Sequence, residues 1–162
     1  MAIRQIRQEG DEILRKISKP VKELNDKIID LISDMLETMY NEEGVGLAAV
    51  QVGVLKRLFV IDIGDGPVIF INPEIIETSG EQTGPEGCLS VEGYQGIVTR
   101  PNKVTIKHYD EHMKETVTTG EGLMARAMIH EYEHLDGKLY VDKVEGELRY
   151  LGEPDSEDVD ED

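Results

Sequence analysis

Two histidines and a glutamate stand close together in residues 130–134, which read His-Glu-Tyr-Glu-His. Histidines four positions apart on a helix project from one face, one turn apart, and can bind the same metal ion. The glutamate beside the first histidine then points toward a water activated by the metal, where it can accept and return a proton. Leu123 and Ala127 fall on the same helical stripe as His130 and His134. The pattern predicts a metal-assisted hydrolytic site beside an apolar pocket.

A catalytic metal of this kind normally takes three protein ligands and keeps one position open for water, so a third ligand is required. One zinc-protease pattern places a histidine six residues after the second, where this chain has Tyr140. Other zinc proteases use a later glutamate, for which the candidates are Glu145, Glu147 and Glu153. Cys88 is the better candidate, because a thiolate binds a borderline metal strongly and Gly87 permits close approach. A buried structural cysteine is the alternative interpretation of Cys88 alone.

Residues 44–51, which read Gly-Val-Gly-Leu-Ala-Ala-Val-Gln, form a third candidate segment. The two glycines permit a tight loop whose backbone groups are open to a ligand, and Gln51 supplies an amide donor. A phosphate-binding loop is disfavoured, because no Gly-Lys-Ser/Thr follows the glycines. Taken alone, the segment is interpreted as a loop that enters a buried strand.

Two helices are predicted to frame these segments. Apolar residues at helical spacing predict an amphipathic helix from Asn25 to Glu43, with Asn25 as its N-cap and Gly44 at its end. A second helix is predicted to begin near residues 118–122, where Thr118 and Glu121 have the spacing of a capping box, and to end at residue 135. This second helix carries the two histidines of the 130–134 segment.

Short strands are predicted between the helices. Runs rich in β-formers predict strands at Leu58–Ile63, Val68–Ile71 and Val104–Tyr109, and the last has a hairpin partner at Thr116–Thr119. His108 is interpreted as a packed residue of its strand and His112 as a surface residue of the hairpin turn. Helices together with antiparallel strands predict an α+β fold.

The composition limits the classes of function. A length of 162 residues fits one domain, and a net charge of −17 disfavours general affinity for nucleic acid. The chain has no apolar stretch near the ~18–20 residues of a membrane span, and residues 1–16 lack the core of a signal peptide. The single cysteine, Cys88, cannot form an internal disulfide. These features predict a cytoplasmic protein without a membrane partner.

The C-terminal end differs in composition from the rest of the chain. Seven of the ten residues from Glu153 to Asp162 are Asp or Glu, and none is basic. A segment with so few apolar residues cannot bury enough surface to fold. We therefore predict a single catalytic domain over residues 1–150 and an acidic, disordered tail over residues 151–162.

The three segments, taken together and in this order, resemble the peptide deformylase family, whose motifs are GxGLAAxQ, EGCLS and HExxH. Residues 44–51 and 86–90 match the first two motifs at every fixed position, and residues 130–134 match the third. The similarity extends from the N-terminal helix to about Val144. It implies an α+β fold in which antiparallel β-sheets pack around a central metal-binding HExxH helix, with an N-terminal amphipathic helix.

The resemblance implies a metal centre. Cys88, His130 and His134 would ligate one divalent ion, which in this family is typically Fe²⁺, with Zn²⁺ or Ni²⁺ also able to occupy the site. Glu131 would act as general base toward the activated water and then as general acid toward the leaving amine.

The resemblance also implies substrate-contacting groups. The Gln51 side chain and the Leu89 backbone N–H would donate to the developing oxyanion, and Glu86 would organise the site. The backbone near Gly46 would hold the peptide groups of the substrate in the manner of an added strand. The pocket for the methionine side chain would be bordered by Val45, Leu123, Ala127 and His130, with Arg126 near its mouth.

This chain departs from the family pattern at three positions. Ile129 replaces the usual glutamine before the HExxH segment, Glu133 replaces the usual aspartate within it, and Glu92 stands where a proline often follows EGCLS. None of these changes removes a ligand or Glu131. Partners of metal ligands alter metal affinity or activity by about 10–100-fold, so Ile129 and Glu133 are expected to affect the metal centre.

The implied activity is removal of the formyl group from N-formylmethionyl nascent peptides at the ribosome, with release of formate. Two alternative functions predict different sites. A zinc endopeptidase would use a ligand after His134 and would not need Cys88. A non-catalytic metal domain or formyl-peptide-binding homologue would need neither Glu131 nor Gln51.

Overall fold

The computed structural model describes residues 2–151 of the chain. The acidic tail predicted for residues 151–162 lies, apart from its first residue, outside the described residues. Within the described residues, no helix combines the length and the apolar character that crossing a membrane requires.

Helix α1 runs from Asp26 to Asn41, and the Asn25 side chain caps its start by accepting a hydrogen bond from the backbone N–H of Ile28 at 3.0 Å. One face of the helix, with apolar residues at helical spacing, is buried; its apolar residues are Ile28, Leu31, Ile32, Met35 and Met39. The helix ends two residues before the predicted Glu43, because Glu43 adopts a left-handed conformation with φ of 58°. The Gly44 N–H then donates to the Met39 carbonyl at 2.9 Å, which satisfies one of the last carbonyls.

Eight strands follow in chain order: β1 Gly46–Ala48, β2 Leu58–Ile61, β3 Val68–Ser79, β4 Gln82–Cys88, β5 Val91–Arg100, β6 Lys103–Tyr109, β7 Glu115–Glu121 and β8 Glu145–Tyr150. They form a five-stranded sheet in the order β1-β2-β3-β6-β7 and a three-stranded sheet in the order β4-β5-β8. All strand pairs within the two sheets are antiparallel. Strand β1 therefore lies at one edge of the larger sheet.

The predicted hairpin is present, and its two histidines lie as expected. His108 is buried in β6, stacks near Phe70 with ring centroids 4.4 Å apart, and contacts the Thr118 hydroxyl through Nε2 at 2.7 Å. His112 lies in the turn between β6 and β7, where its backbone N–H donates to the Asp110 side chain.

The predicted start of the second helix is wrong. Residues 118–121 belong to β7, which pairs along its whole length with β6, and helix α2 begins at Leu123 and ends at Leu135. The four consecutive β-branched residues 116–119 favour a strand, and they pair with β6 to complete the hairpin instead of forming a capping box. Gly122, with φ of 61°, makes the turn between strand and helix.

Three strands have no counterpart among the predictions. Strand β4 contains Gly84, Pro85 and Gly87, and the exposed strand β8 lacks apolar alternation. Neither strand therefore carries the usual period-two pattern. Strand β5 is interrupted by Gly93 and Gly96. A two-residue turn, Leu89–Ser90, joins β4 to β5.

Helix α2 packs against β1, β2, β6 and β7 of the larger sheet and against β5 of the smaller one. The main core cluster joins Ala125, Met128 and Ile129 of α2 to Phe59 and Phe70 of the larger sheet. A second cluster lies between α1 and the larger sheet, around Met35, Leu47 and Val60. Two helices and two antiparallel sheets confirm the predicted α+β fold.

Candidate metal centre

Three potential metal ligands meet where α2 faces the end of β4. The Cys88 Sγ atom and one imidazole nitrogen each from His130 and His134 all lie within 4.8 Å of one another. The two histidines are one helical turn apart on α2, and the bend between β4 and β5 presents Cys88 to them. One thiolate and two imidazoles suit a tetrahedral divalent ion that keeps a fourth position open, so the donor set fits a catalytic metal.

Hydrogen bonds and burial orient the two imidazoles. His130 directs Nδ1 to the Glu86 carboxylate, which leaves Nε2 as the nitrogen that could coordinate a metal ion. His134 directs Nε2 toward Cys88 Sγ at 3.3 Å. Burial and the neighbouring His130 lower the pKa of His134 well below its usual range, so this imidazole is neutral and able to bind a cation.

The Glu86 carboxylate is anionic and rigidly held. Although burial opposes ionisation, hydrogen bonds from His130 and Arg100 lower its pKa to about 2. Arg126 donates to the same carboxylate through Nη1 at 2.9 Å. Arg126 therefore lines the cavity and also belongs to the group that surrounds Glu86.

The Glu131 carboxyl lies in the same buried space. Its Oε1 atom has no hydrogen-bond partner among the described residues, and burial raises its pKa to about 7 even though His130 opposes the shift. A carboxyl with a pKa near neutrality can both take up and release a proton under physiological conditions. The Gly46 backbone lies close to this carboxyl: a Cβ at Gly46 would lie 2.6 Å from Glu131 Oε2.

Gln51 is held between the loop after β1 and the β4–β5 turn. Its Oε1 accepts from the Ala48 N–H at 2.8 Å, and its Nε2 donates to Ser90 Oγ at 3.0 Å and reaches Cys88 Sγ at 3.5 Å. These contacts fix the amide so that its N–H₂ end faces the thiol. Leu89 lies in the same turn, directly after Cys88.

A cavity of about 140 Å³ adjoins these groups and opens into a groove of about 920 Å³. Nine of the eleven predicted site residues line the cavity: Val45, Gln51, Cys88, Leu89, Leu123, Arg126, Ala127, His130 and Glu131. The other two do not line the cavity but contact residues that do: Gly46 lies against Glu131, and His134 lies against Cys88. Pro85, Glu86 and Gly87 complete the wall. The predicted residues therefore come together around one cavity.

The other proposed third ligands lie elsewhere or have different environments. Glu145 is in the exposed strand β8 and accepts a hydrogen bond from Thr99 at 2.6 Å, and Glu147 is exposed in the same strand. Glu153 is outside the described residues. The Tyr140 ring centroid lies 5.9 Å from that of His130, but burial raises the pKa of its hydroxyl to about 12, which keeps it protonated.

Sequence reasoning missed Arg100, which is buried beside the site. It donates two hydrogen bonds to Glu86, at 3.1 and 3.0 Å, and one to Glu133 at 2.9 Å. No motif includes this residue; its only sequence signal is an arginine within a strand, where a buried cation requires anionic partners. Of the two departures on α2, Glu133 joins this group, whereas Ile129 packs into the apolar core.

Comparisons with known proteins identify the family of this chain. The model of the polypeptide deformylase family matches residues 3–149. A peptide deformylase of Lachnoclostridium phytofermentans is 60% identical over 161 residues, covering 98% of this chain and 99% of the relative, and one of Thermoanaerobacter pseudethanolicus is 52% identical over 161 residues, covering 99% of both.

Solved structures share the fold. The peptide deformylase of Legionella pneumophila superposes with a TM-score of 0.86 at 47% identity, over 88% of this chain and 86% of that one. The peptide deformylase of Synechococcus elongatus in complex with actinonin gives a TM-score of 0.85 at 41% identity, over 87% and 78% of the two chains. Because the family model spans nearly all described residues and the relatives match end to end, the chain belongs to the peptide deformylases, metal-dependent hydrolases that remove the N-terminal formyl group from nascent polypeptides.

Proposed function

We propose that Cys88, His130 and His134 hold the single divalent ion with which this chain deformylates N-formylmethionyl peptides. The supporting observation is that their ligand atoms lie within 4.8 Å of one another at the wall of the cavity that also contains Glu131. Helix α2 would then be the central metal-binding element of the domain, and α1 its N-terminal amphipathic support. Iron(II) is our proposed native ion, with Zn²⁺ or Ni²⁺ as substitutes. A bound divalent ion supplies Lewis-acid polarisation of a carbonyl and lowers the pKa of water to about 7.

Glu131 is the proposed acid and base. Its carboxylate accepts a proton from the attacking water and returns it to the nitrogen that leaves the formyl carbon, so that formate and a free amine result. Its burial and its pKa near 7 support both roles. The close approach of Gly46 keeps the carboxyl turned toward the cavity.

Gln51 and Leu89 are the proposed oxyanion donors. The Gln51 amide is preorganised by Ala48 and Ser90, so its N–H₂ group needs no reorientation when negative charge develops on the formyl oxygen. The Leu89 backbone N–H lies in the turn that follows Cys88 and would provide the second donor.

The substrate peptide is proposed to extend along β1. This strand is at the edge of the larger sheet, so the Gly46 backbone can pair with an extended peptide on its outer side. Val45, Leu123 and Ala127 line the cavity and would surround the methionine side chain, with Arg126 at the wall near Glu86. Substrate residues beyond the first would continue into the larger groove.

We further propose that residues 1–150 form one catalytic domain. The high negative charge, −17 over the chain, supports a protein that does not bind nucleic acid directly. The proposed setting is the cytoplasm, where formylated chains emerge from the ribosome.

Substitution Gly46→Ala is expected to lower kcat/KM for a formyl-peptide by about 10–100-fold. The added methyl group would lie 2.6 Å from Glu131 Oε2 and would displace the carboxyl, and misplacing a reacting group by about 1 Å costs that much. Formate release from formyl-Met-Ala-Ser measures the effect. The matched control is Gly84→Ala, whose Cβ would meet nothing closer than 3.6 Å; equal rates for both variants would contradict the proposed placement of Glu131.

Metal removal tests the proposed function directly. Protein purified without oxygen is assayed for formate release from formyl-Met-Ala-Ser, stripped with a chelator, and reloaded with Fe²⁺, Zn²⁺ or Ni²⁺. We expect activity to disappear on stripping and to return in proportion to bound metal at one ion per chain. Full activity in the stripped protein, or none in the fully loaded protein, would refute the proposal.

A further inference from the structure

Arg100 is a buried cation that joins two carboxylates. It lies at the end of β5 with a side chain only 2% exposed. Its Nε and Nη2 atoms donate to the two oxygens of Glu86, and its Nη1 atom donates to Glu133. This fork binds one carboxylate in bidentate fashion, which fixes orientation as well as distance.

The Glu86 carboxylate has donors on both oxygens. Oε1 accepts from Arg100 at 3.1 Å and from Arg126 at 2.9 Å, while Oε2 accepts from Arg100 at 3.0 Å and faces His130 Nδ1. The carboxylate therefore cannot rotate without breaking contacts on both sides. Its hydrogen bond to His130 sets the plane of the imidazole and keeps the proton on Nδ1.

Glu133 closes the arrangement into a ring. It stands three residues after His130 on α2, so both ends of the chain His130–Glu86–Arg100–Glu133 are attached to one helix. The second oxygen of Glu133 binds Lys143 Nζ at 3.1 Å, in the short helical turn that precedes β8. The longer side chain at this position, compared with the usual aspartate, spans both cations.

The charges of this cluster are balanced. Arg100 and Arg126 carry two positive charges, and Glu86 and Glu133 carry two negative ones, with the half-exposed Lys143 outside them. Neutralising Glu133 would leave an excess positive charge in a buried region close to His130. Such a charge weakens the binding of a divalent cation, since low-dielectric surroundings screen it poorly.

We propose that Arg100 and Glu133 are positioning residues, which act through Glu86 to hold the His130 imidazole in the orientation that retains the metal. The inference rests on the proposed role of His130 as a ligand. Glu133 thus helps to hold His130, although it replaces the aspartate usual in the family. Ile129 takes no part in this, because its side chain packs in the core.

The test uses Glu133→Gln in the Zn²⁺-loaded protein. The amide keeps an acceptor for Arg100 but loses the negative charge, so the fold is preserved while the anchoring weakens. We expect Zn²⁺ release to a chelator to become about 10–100-fold faster. We also expect the His130 Nδ1–H proton resonance to shift and to exchange faster with water, and kcat for formate release to fall with KM little changed.

Two further variants separate positioning from general stability. Asp136→Asn removes a comparable ion pair at the end of the same helix, with Arg57 at 3.0 Å, but has no link to Glu86; it should leave Zn²⁺ release and the His130 resonance as in the wild type. Arg100→Lys keeps the charge but loses the fork, and should reproduce the Glu133→Gln effects. Lys143→Met should accelerate release by less than about fivefold, since an ion pair with a half-exposed partner contributes little.

The outcomes distinguish this inference from the proposed function. The positioning role would be overturned if folded Glu133→Gln and Arg100→Lys showed unaltered Zn²⁺ release and an unaltered His130 resonance. Formate release by the wild-type protein would still support the deformylase mechanism in that case. Equal effects from Asp136→Asn would also overturn it, because they would indicate loss of helix stability. A wild-type protein that neither retains Zn²⁺ nor releases formate would instead refute the proposed function.

Discussion

Glu131→Gln is expected to lower kcat for formate release by about 10²–10⁴-fold while the metal stays bound. General acid–base catalysis contributes a factor of that size, and an amide cannot accept and return a proton as a carboxylate does. The side chain is almost fully buried, and its Oε1 has no hydrogen-bond partner within residues 2–151, so an isosteric amide fits without removing a structural hydrogen bond seen there. The measurement is formate release from formyl-Met-Ala-Ser, together with the metal content of the same sample.

The control for this experiment is Glu115→Gln, which removes a carboxylate from an exposed ion pair with Lys107; neither residue lines the cavity. It should leave kcat unchanged. If Glu131→Gln keeps more than about a tenth of the wild-type kcat with full metal occupancy, the proton is carried by another group. Loss of metal in the variant would also count against the proposal, because Glu131 would then act as a ligand.

Cys88→Ser is expected to weaken metal binding by more than about 100-fold, beyond the effect of altering a partner of a ligand. A serine hydroxyl stays protonated at neutral pH and is a much poorer ligand for a borderline metal than a thiolate. The hydroxyl can still accept hydrogen bonds from Gln51 and from the Ser90 N–H, which now contact Sγ at 3.5 and 3.4 Å. The fold should therefore persist, and formate release should fall in proportion to metal occupancy.

This variant also separates the deformylase mechanism from that of a zinc endopeptidase. The endopeptidase arrangement requires a ligand after His134, so Cys88→Ser would keep its metal and Glu147→Gln would lose it. We expect the opposite, because Glu147 is exposed in β8, whereas Cys88 lies beside both histidines. Titration of each apo variant with Zn²⁺ gives the affinities; tight binding by Cys88→Ser would contradict the proposed ligand set.

Local patterns in the sequence predicted elements whose geometry depends on near neighbours. The spacing of Ile28, Leu31 and Met35 indicated α1, and Asn25 indicated its cap, because helical faces and caps follow from residues three or four positions apart. The same reasoning failed at Thr118 and Glu121. Their spacing fits a capping box, but pairing with β6 forms more hydrogen bonds than a single cap. The neighbouring strand therefore determines that this segment is a strand and not a helix start.

For the site too, some features follow from the sequence and others only from the tertiary structure. The sequence by itself determined the types of chemistry: two histidines one helical turn apart, an adjacent glutamate, and a cysteine in a glycine-containing segment. Only the tertiary structure decided that Cys88, 42 positions before His130, comes within ligand distance, because this depends on how β4 folds onto α2. It alone also revealed Arg100, whose role follows from Glu86 and Glu133 reaching it from different elements. Contacts between residues distant in the chain depend on the packing of sheets and helices, which spacing along the sequence does not encode.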